Sequence, residues 1–154
     1  MKLLVSACVL GANVRWNGAN KESKELVEWA AANDVTLIPV CPENEIFGTP
    51  RSTIKLVQID GDLIADMKGK DVIQDLNDKA RDIHSRYPDV DGFIGVYGSP
   101  SCGISVGVKN KGGMTKGSMH SQTSIPTTEV GHFNSEASRD AFLNRLRREN
   151  RAKI

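Results

Sequence analysis

The chain has 154 residues, a length that suits one domain with its own core, so we predict a single domain over residues 1–154. Its 20 lysine and arginine residues nearly balance 19 aspartate and glutamate residues, and the net charge of +1 indicates neither a strongly acidic nor a strongly basic partner. No apolar run approaches the ~20 residues that cross a bilayer, so we expect no membrane-spanning helix.

The first apolar run, residues 2–8, is typical of a buried strand in a parallel sheet, and the chain breaks after it at Gly11. Its end, Val5-Ser6-Ala7-Cys8, resembles a lipoprotein cleavage box. Only seven residues precede the cysteine, however, whereas a secretory signal needs roughly 15 to 30. We therefore expect a cytoplasmic protein whose thiols stay reduced.

A strand, a helix and a second strand follow one another at the start of the chain. Residues 23–32 place Leu26, Trp29 and Ala30 on one helical face, and residues 35–40 form a β-branched run that ends at Cys41. This order predicts a βαβ unit with parallel strands.

The next part of the chain mixes a loop, a ribbon and a helix. Residues 42–51 are expected to form a loop punctuated by two prolines, and residues 53–64 a hairpin or edge ribbon that turns at Asp60-Gly61. The apolar spacing over residues 71–87 predicts a helix that Pro88 ends.

A third buried strand is predicted over residues 92–97. The glycine-rich residues 103–117 show no period and are expected to form a mobile loop. Residues 123–130 offer one more strand, and residues 136–149 a last helix. The predicted fold is α/β: one Rossmann-like domain with a mostly parallel sheet flanked by helices.

The three cysteines, Cys8, Cys41 and Cys102, each follow one of the predicted buried strands. Because the carboxyl ends of parallel strands form one edge of a sheet, we expect the three thiols to meet there. Free cysteines are also common as small buried hydrophobic residues, and spacing alone leaves that interpretation about as well supported as a metal site.

Three converging thiolates suit either of two metal centres. They can hold zinc with a histidine or water as the fourth ligand, or a [4Fe-4S] cluster with one iron that has no protein ligand. Because His84, His120 and His132 do not follow the predicted strands, the pattern favours the cluster.

Several polar residues lie close to the cysteines in sequence. Glu43 and Glu45 follow Cys41, Ser99 and Ser101 precede Cys102, and Arg51 ends the predicted loop. The glutamates are candidate acids or bases, the serines can bind a substrate or a cluster sulfur, and Arg51 can bind an anion. Each also has an ordinary structural interpretation as a solvated loop residue, a helix cap or an ion-pair partner.

Three ordered motifs around these residues resemble the bacterial thiouracil desulfidase family, TudS. The motifs span about two-thirds of the chain: Ser6-Ala7-Cys8-Val9-Leu10-Gly11, then Val40-Cys41-Pro42-Glu43 with Thr49-Pro50-Arg51, and Ser99-Pro100-Ser101-Cys102-Gly103.

The resemblance implies a [4Fe-4S] cluster held by Cys8, Cys41 and Cys102, and removal of sulfur from thiolated uracil without net redox change. The substrate sulfur would bind the open iron, and water activated by a carboxylate would attack the carbon, releasing uracil and hydrogen sulfide. Glu45 is the first choice for the acid or base and Glu43 the second, with Ser101 orienting the substrate.

The resemblance leaves the size of the substrate open. The family often has a lysine just before the third motif, where this chain has Tyr97-Gly98. A free thiolated pyrimidine, its nucleoside and a thiolated tRNA position are all candidates, with Ser99 and Arg51 as substrate-binding residues and no membrane or protein partner expected. Two other functions would use the same cysteines: a zinc-dependent hydrolase or deaminase, and an RNA- or nucleotide-binding module with a structural cluster.

Overall fold

A four-stranded parallel sheet forms the centre of the computed structural model, which describes residues 1–152. The strands of the chain are β1 (Lys2–Ser6), β2 (Thr36–Val40), β3 (Lys55–Ile59), β4 (Asp62–Met67), β5 (Lys70–Asp71), β6 (Gly92–Gly95), β7 (Val106–Val108), β8 (Gly113–Thr115) and β9 (Thr127–Glu129). The helices are α1 (Lys24–Ala32), α2 (Pro42–Phe47), α3 (Ile73–Arg86), α4 (Ser118–Ser121), α5 (Val130–Phe133) and α6 (Glu136–Ala152), with a 3-10 turn at Ala7–Leu10.

The central sheet has the order β2-β1-β6-β9, and every neighbouring pair is parallel. Leu3, Leu4 and Val5 of β1 are fully buried, as expected for a strand paired on both sides and covered on both faces. The predicted α/β class with a mostly parallel sheet is confirmed. The arrangement brings the carboxyl ends of β1, β2 and β6 to one edge.

The helices bury one apolar face each in the same core as the strands. Leu26 of α1, Ile83 of α3 and Leu146 of α6 are fully buried among the side chains of the central sheet. The helical period of the sequence therefore predicted these three helices because their apolar faces pack on the sheet.

A second, smaller core lies under an antiparallel sheet of β3, β4 and β5. The predicted hairpin is confirmed: Asp60 and Gly61 join β3 to β4 with positive φ angles of 50° and 86°. An aspartate followed by glycine is a common pair in such a turn because both residues must adopt the left-handed conformation.

The predicted loop after Cys41 begins instead as the helix α2. Pro42 is its first residue, where proline lacks only an N–H that would have no helical partner. Glu43 and Glu45 lie in the first turn, where their negative charges interact favourably with the positive end of the helix dipole. Pro42 therefore indicated the start of a helix, whereas Pro50 lies beyond its end.

The glycine-rich residues 103–117 contain a short hairpin, β7 with β8, and the prediction of a mobile loop without structure was wrong for this part. Val106 and Val108 are buried in the second core. Lys109 also bonds to β3, donating its backbone N–H to the Leu56 carbonyl at 2.9 Å. The short alternation of valines around Gly107 carried a strand signal that the glycines obscured.

Within residues 1–152, none of the helices combines the length and the apolar character needed to cross a membrane.

Candidate functional site

One cavity of about 270 Å³ lies at the sheet edge where β1, β2 and β6 end. The three cysteines are free thiols and line this cavity together. The remaining lining residues are Ser6, Ala7, Val14, Arg15, Trp16, Lys21, Val40, Glu43, Arg51, Thr53, Ile54, Tyr97, Gly98, Ser99, Pro100 and Ser101. Of the residues predicted for the site, the cavity brings together all except Glu45.

Cys8 and Cys41 are fixed by the turns that follow their strands. Cys8 lies in the 3-10 turn, which Gly11 closes in the left-handed conformation (φ 93°), donating its N–H to the Cys8 carbonyl at 3.3 Å. Cys41 is the N-cap residue of α2, and its Sγ accepts a hydrogen bond from the backbone N–H of Asn44 at 3.4 Å. This donor favours the thiolate form of Cys41.

Cys102 lies in a tight turn whose backbone is held from several sides. Its N–H donates to Ser99 Oγ at 3.0 Å, and its carbonyl accepts from the Val96 N–H at 3.0 Å. His120 Nε2 lies 2.8 Å from the same carbonyl oxygen and must donate to it. The ring is buried, which lowers the pKa of His120, so the imidazole is neutral with its proton on Nε2.

His120 and Glu129 support the third cysteine turn and were not identified from the sequence. The buried Glu129 carboxylate accepts the N–H of Ile104 at 3.0 Å, two residues after Cys102. Its position at the end of β9 was the signal that could have indicated it, because strand ends of this sheet form the site. His120 lies in a stretch without helical or strand period, so its sequence carried no comparable signal.

Gly95 leaves room for this turn, and we expect Gly95→Ala to disrupt it. A Cβ at Gly95 would lie 1.8 Å from the Cys102 carbonyl oxygen, so the turn must move or the chain must unfold. The expected loss is about 3 kcal/mol of unfolding free energy, measured by urea denaturation. Gly131→Ala is the matched control, because a Cβ there meets no atom within 4 Å; equal stability of the two variants would contradict the prediction.

Glu43 is the centre of a buried polar network beside the cysteines. Ser101 Oγ donates to Glu43 Oε2 at 2.7 Å, and Ser99 Oγ lies 3.3 Å from the same oxygen. Arg51 Nε lies 3.8 Å from Glu43 Oε1 and has no hydrogen-bond partner, although its atom is buried. Ser101 Oγ also lies 3.7 Å from Cys102 Sγ. The network therefore connects a carboxylate, two hydroxyls and a guanidinium to the thiol edge of the cavity.

Glu45 is directed away from the cavity. It forms ion pairs with Arg86 at 2.6 Å and with Lys79 at 4.0 Å, both from α3. Two residues along an α-helix correspond to a rotation of about 200°, so Glu43 and Glu45 lie on opposite faces of α2. The choice of Glu45 as acid or base assumed a loop after Cys41, whereas the helix places Glu43, and not Glu45, at the cavity.

The environment of the three thiols raises their pKa values in the absence of a metal, so the protonated form is favoured. Burial raises the pKa of Cys102 to about 12, and burial also raises the pKa of Cys8 and of Cys41. A charge on Cys41 raises the pKa of both other thiols, so the three sulfurs are electrostatically coupled. Binding of a metal centre must therefore release protons and compensate for mutual thiolate repulsion.

A family model and a solved structure match this chain. A family model described as 2-thiouracil desulfurase matches residues 3–138. The chain belongs to the 2-thiouracil desulfurase family. A solved structure described as [4Fe-4S]-dependent thiouracil desulfidase TudS (DUF523Vcz) has the same fold, with a TM-score of 0.69 and 22% identity over 88% of this chain and 95% of that chain. A search of curated proteins finds no match.

The donor set of this 2-thiouracil desulfurase family member fits an iron–sulfur cluster. The lining residues include three thiols, the soft ligands that such clusters take, and no histidine. Burial raises the pKa of Cys8 and of Cys41, and the positive charges of Arg15 and Lys21 near Cys8, and of Arg51 near Cys41, offset part of that rise. Within the described residues, no group of three or more His, Cys, Asp and Glu side chains is arranged to hold a metal ion.

Proposed function

We propose that the protein removes sulfur from thiolated uracil of the 2-thiouracil type and releases uracil and hydrogen sulfide. A [4Fe-4S] cluster held by Cys8, Cys41 and Cys102 is the proposed cofactor. The observation that carries this proposal is the cavity itself, in which the three thiols lie with a buried carboxylate and two hydroxyls in a chain of the desulfurase family.

Held by the three cysteines, the cluster would leave one iron without a protein ligand and would supply a Lewis acid for the thiocarbonyl group. The overall reaction is a hydrolysis. Water supplies the oxygen of the new carbonyl, the carbon–sulfur bond breaks, and the sulfur leaves with two protons, so no electrons are gained or lost.

Glu43 is the proposed acid and base of this reaction. Its carboxylate can take a proton from the attacking water and return it to the leaving sulfur, a role that requires hydrogen-bond contact with both. Ser101 Oγ donates to one carboxylate oxygen of Glu43 at 2.7 Å and so fixes its position. The same hydroxyl can donate its hydrogen bond to the substrate instead. Arg51 approaches the other carboxylate oxygen at 3.8 Å.

Ser99 and Arg51 are the proposed substrate-binding residues. The Arg51 Nη1 atom is engaged by the Gly48 carbonyl and by Thr49 Oγ1, both at 3.1 Å. Its buried Nε–H has no hydrogen-bond partner, and since Arg51 lines the cavity, its guanidinium is the proposed donor to a pyrimidine carbonyl. Ser99 Oγ is placed between the Cys102 N–H and Glu43, so it orients the turn and the carboxylate together.

The proposed substrate is a small thiolated pyrimidine, as base or nucleoside, in the cytoplasm, where thiols remain reduced. A thiolated tRNA position is the larger alternative. Release of sulfide from thiolated tRNA at a rate equal to that from free thiouracil would assign the larger substrate.

The experiment that tests the proposal measures iron, zinc and acid-labile sulfide in protein purified without oxygen, followed by a hydrogen sulfide assay with 2-thiouracil. We expect roughly four irons and four sulfides per chain and sulfide release that requires them. Stoichiometric zinc without sulfide would assign a hydrolase or deaminase instead. A loaded cluster with salt-dependent RNA binding and no turnover would assign a binding module.

A further inference from the structure

Two large aromatic side chains are exposed at the cavity. Trp16 is 45% exposed and Tyr97 is 69% exposed, and both line the cavity with the three cysteines. The exposed large hydrophobic residues in the described part of the chain are Met1, Trp16, Val27, Ile59, Tyr97 and Met114. Single exposed residues of this kind are ordinary. The two aromatic members of this set, however, both lie at the same cavity.

Each of the two aromatic residues also lines a neighbouring groove, and the two grooves are different. Trp16 also lines an outer groove with Arg51 and Thr53, whereas Tyr97 lines a separate groove with Gly98 and Pro100. Since both residues line the cavity, a planar molecule that occupies it can contact both of them. Ligand pockets commonly combine aromatic walls of this kind with a few polar groups deeper inside.

The backbone at both positions is fixed although the rings are exposed. The Trp16 carbonyl accepts the Arg51 N–H at 2.9 Å, and the Tyr97 carbonyl lies 3.4 Å from Lys21 Nζ. Tyr97 follows Val96, whose N–H is bonded to the Cys102 carbonyl. The anchored backbones keep both aromatic residues beside the thiols, so they can contact a substrate whose sulfur points inward.

We propose that Trp16 and Tyr97 stack on the pyrimidine ring and make the enzyme specific for an aromatic thiocarbonyl compound. The inference rests on the proposed function, because the ligand of the two residues is the thiolated pyrimidine proposed there as the substrate. Stacking on an aromatic side chain uses the π face of the ligand ring, so it depends little on the substituents of that ring. Its strength requires the ring to be flat and conjugated. The polar network of Glu43 then acts on the thiocarbonyl group of a ring that is already oriented.

The test compares a conjugated ring with its saturated counterpart in the cluster-loaded enzyme. We expect wild type to have a KM for 2-thiouracil about tenfold below that for 5,6-dihydro-2-thiouracil, which lacks the conjugated face. Tyr97→Ala and Trp16→Ala should each raise the KM for 2-thiouracil about tenfold and leave that for the dihydro compound nearly unchanged. Tyr97→Phe and Trp16→Phe should keep the preference because they retain an aromatic ring.

Ile59→Ala is the matched control, because it removes an exposed apolar side chain that does not line the cavity. If the alanine variants change KM equally for both compounds, or do not change it, the stacking role is overturned. Sulfide release by wild type would still support the proposed function in that case. If wild type releases no sulfide, the proposed function fails. Calorimetry with uracil and 5,6-dihydrouracil then tests stacking without turnover, and it overturns the inference if the affinities are equal or absent.

Discussion

Replacing any one of Cys8, Cys41 and Cys102 by alanine is expected to abolish sulfide release from 2-thiouracil. Each variant removes one of the three thiols around the cavity, and these are the only cysteines in the chain, so no other thiol can substitute. Loss of one ligand should leave a labile cluster or none. The measurement is iron and acid-labile sulfide per chain together with hydrogen sulfide formation, on variants prepared without oxygen.

Folding of the variants must be separated from loss of the cofactor. Cys8 and Cys102 are buried, but an alanine in their place removes only a single sulfur atom, so the secondary structure should be retained. Circular dichroism and urea denaturation, compared with wild type stripped of metal, supply the reference. One alanine variant with full iron content and normal turnover would show that its cysteine is not a ligand and would leave the proposed set incomplete.

Much of the fold could be predicted because the sequence pattern and the packing agree. The apolar runs that become β1 and β6 are buried on both faces, whereas β2 lies at the edge of the sheet and buries only Val40. The length and β-branched composition of the runs distinguish them from helices. Once these strands are parallel, the cysteines that follow them must reach one edge of the sheet. The shared cavity was therefore predictable from three short segments far apart in the chain.

The role of each glutamate could not be predicted in the same way. Two residues that are two positions apart occupy the same region of a loop but opposite faces of a helix. Whether Glu43 or Glu45 reaches the cavity depends on the phase of α2, which Cys41 sets as the N-cap residue. The packing of α2 on α3 then gives Glu45 its ion pair with Arg86.

The supports of the third cysteine turn illustrate a second limit. Val96, His120 and Glu129 hold the turn through backbone groups, and a backbone carbonyl or N–H leaves no trace in the sequence. The absence of a side chain at Gly95 marks the close approach of Cys102. Such contacts are determined by the tertiary arrangement rather than by a local pattern.

Replacing Glu43 by glutamine is expected to lower kcat by a factor of about 10² to 10⁴, the usual contribution of a positioned general acid or base. Glutamine has nearly the same volume and can still accept the hydrogen bond that Ser101 donates at 2.7 Å. It cannot take a proton from water at neutral pH. Iron and sulfide content should therefore remain close to wild type while turnover falls, since Glu43 is not a proposed ligand.

Glu45→Gln is the matched control for this variant, because it makes the same chemical change on the same helix at a side chain that faces α3. We expect its kcat to stay within about twofold of wild type, since surface ion pairs have small effects. The reverse ranking, with Glu45→Gln impaired and Glu43→Gln normal, would reject the placement of α2 described above. Loss of iron from Glu43→Gln would instead show that the carboxylate supports the cluster, which would reduce its proposed role from acid and base to a positioning residue.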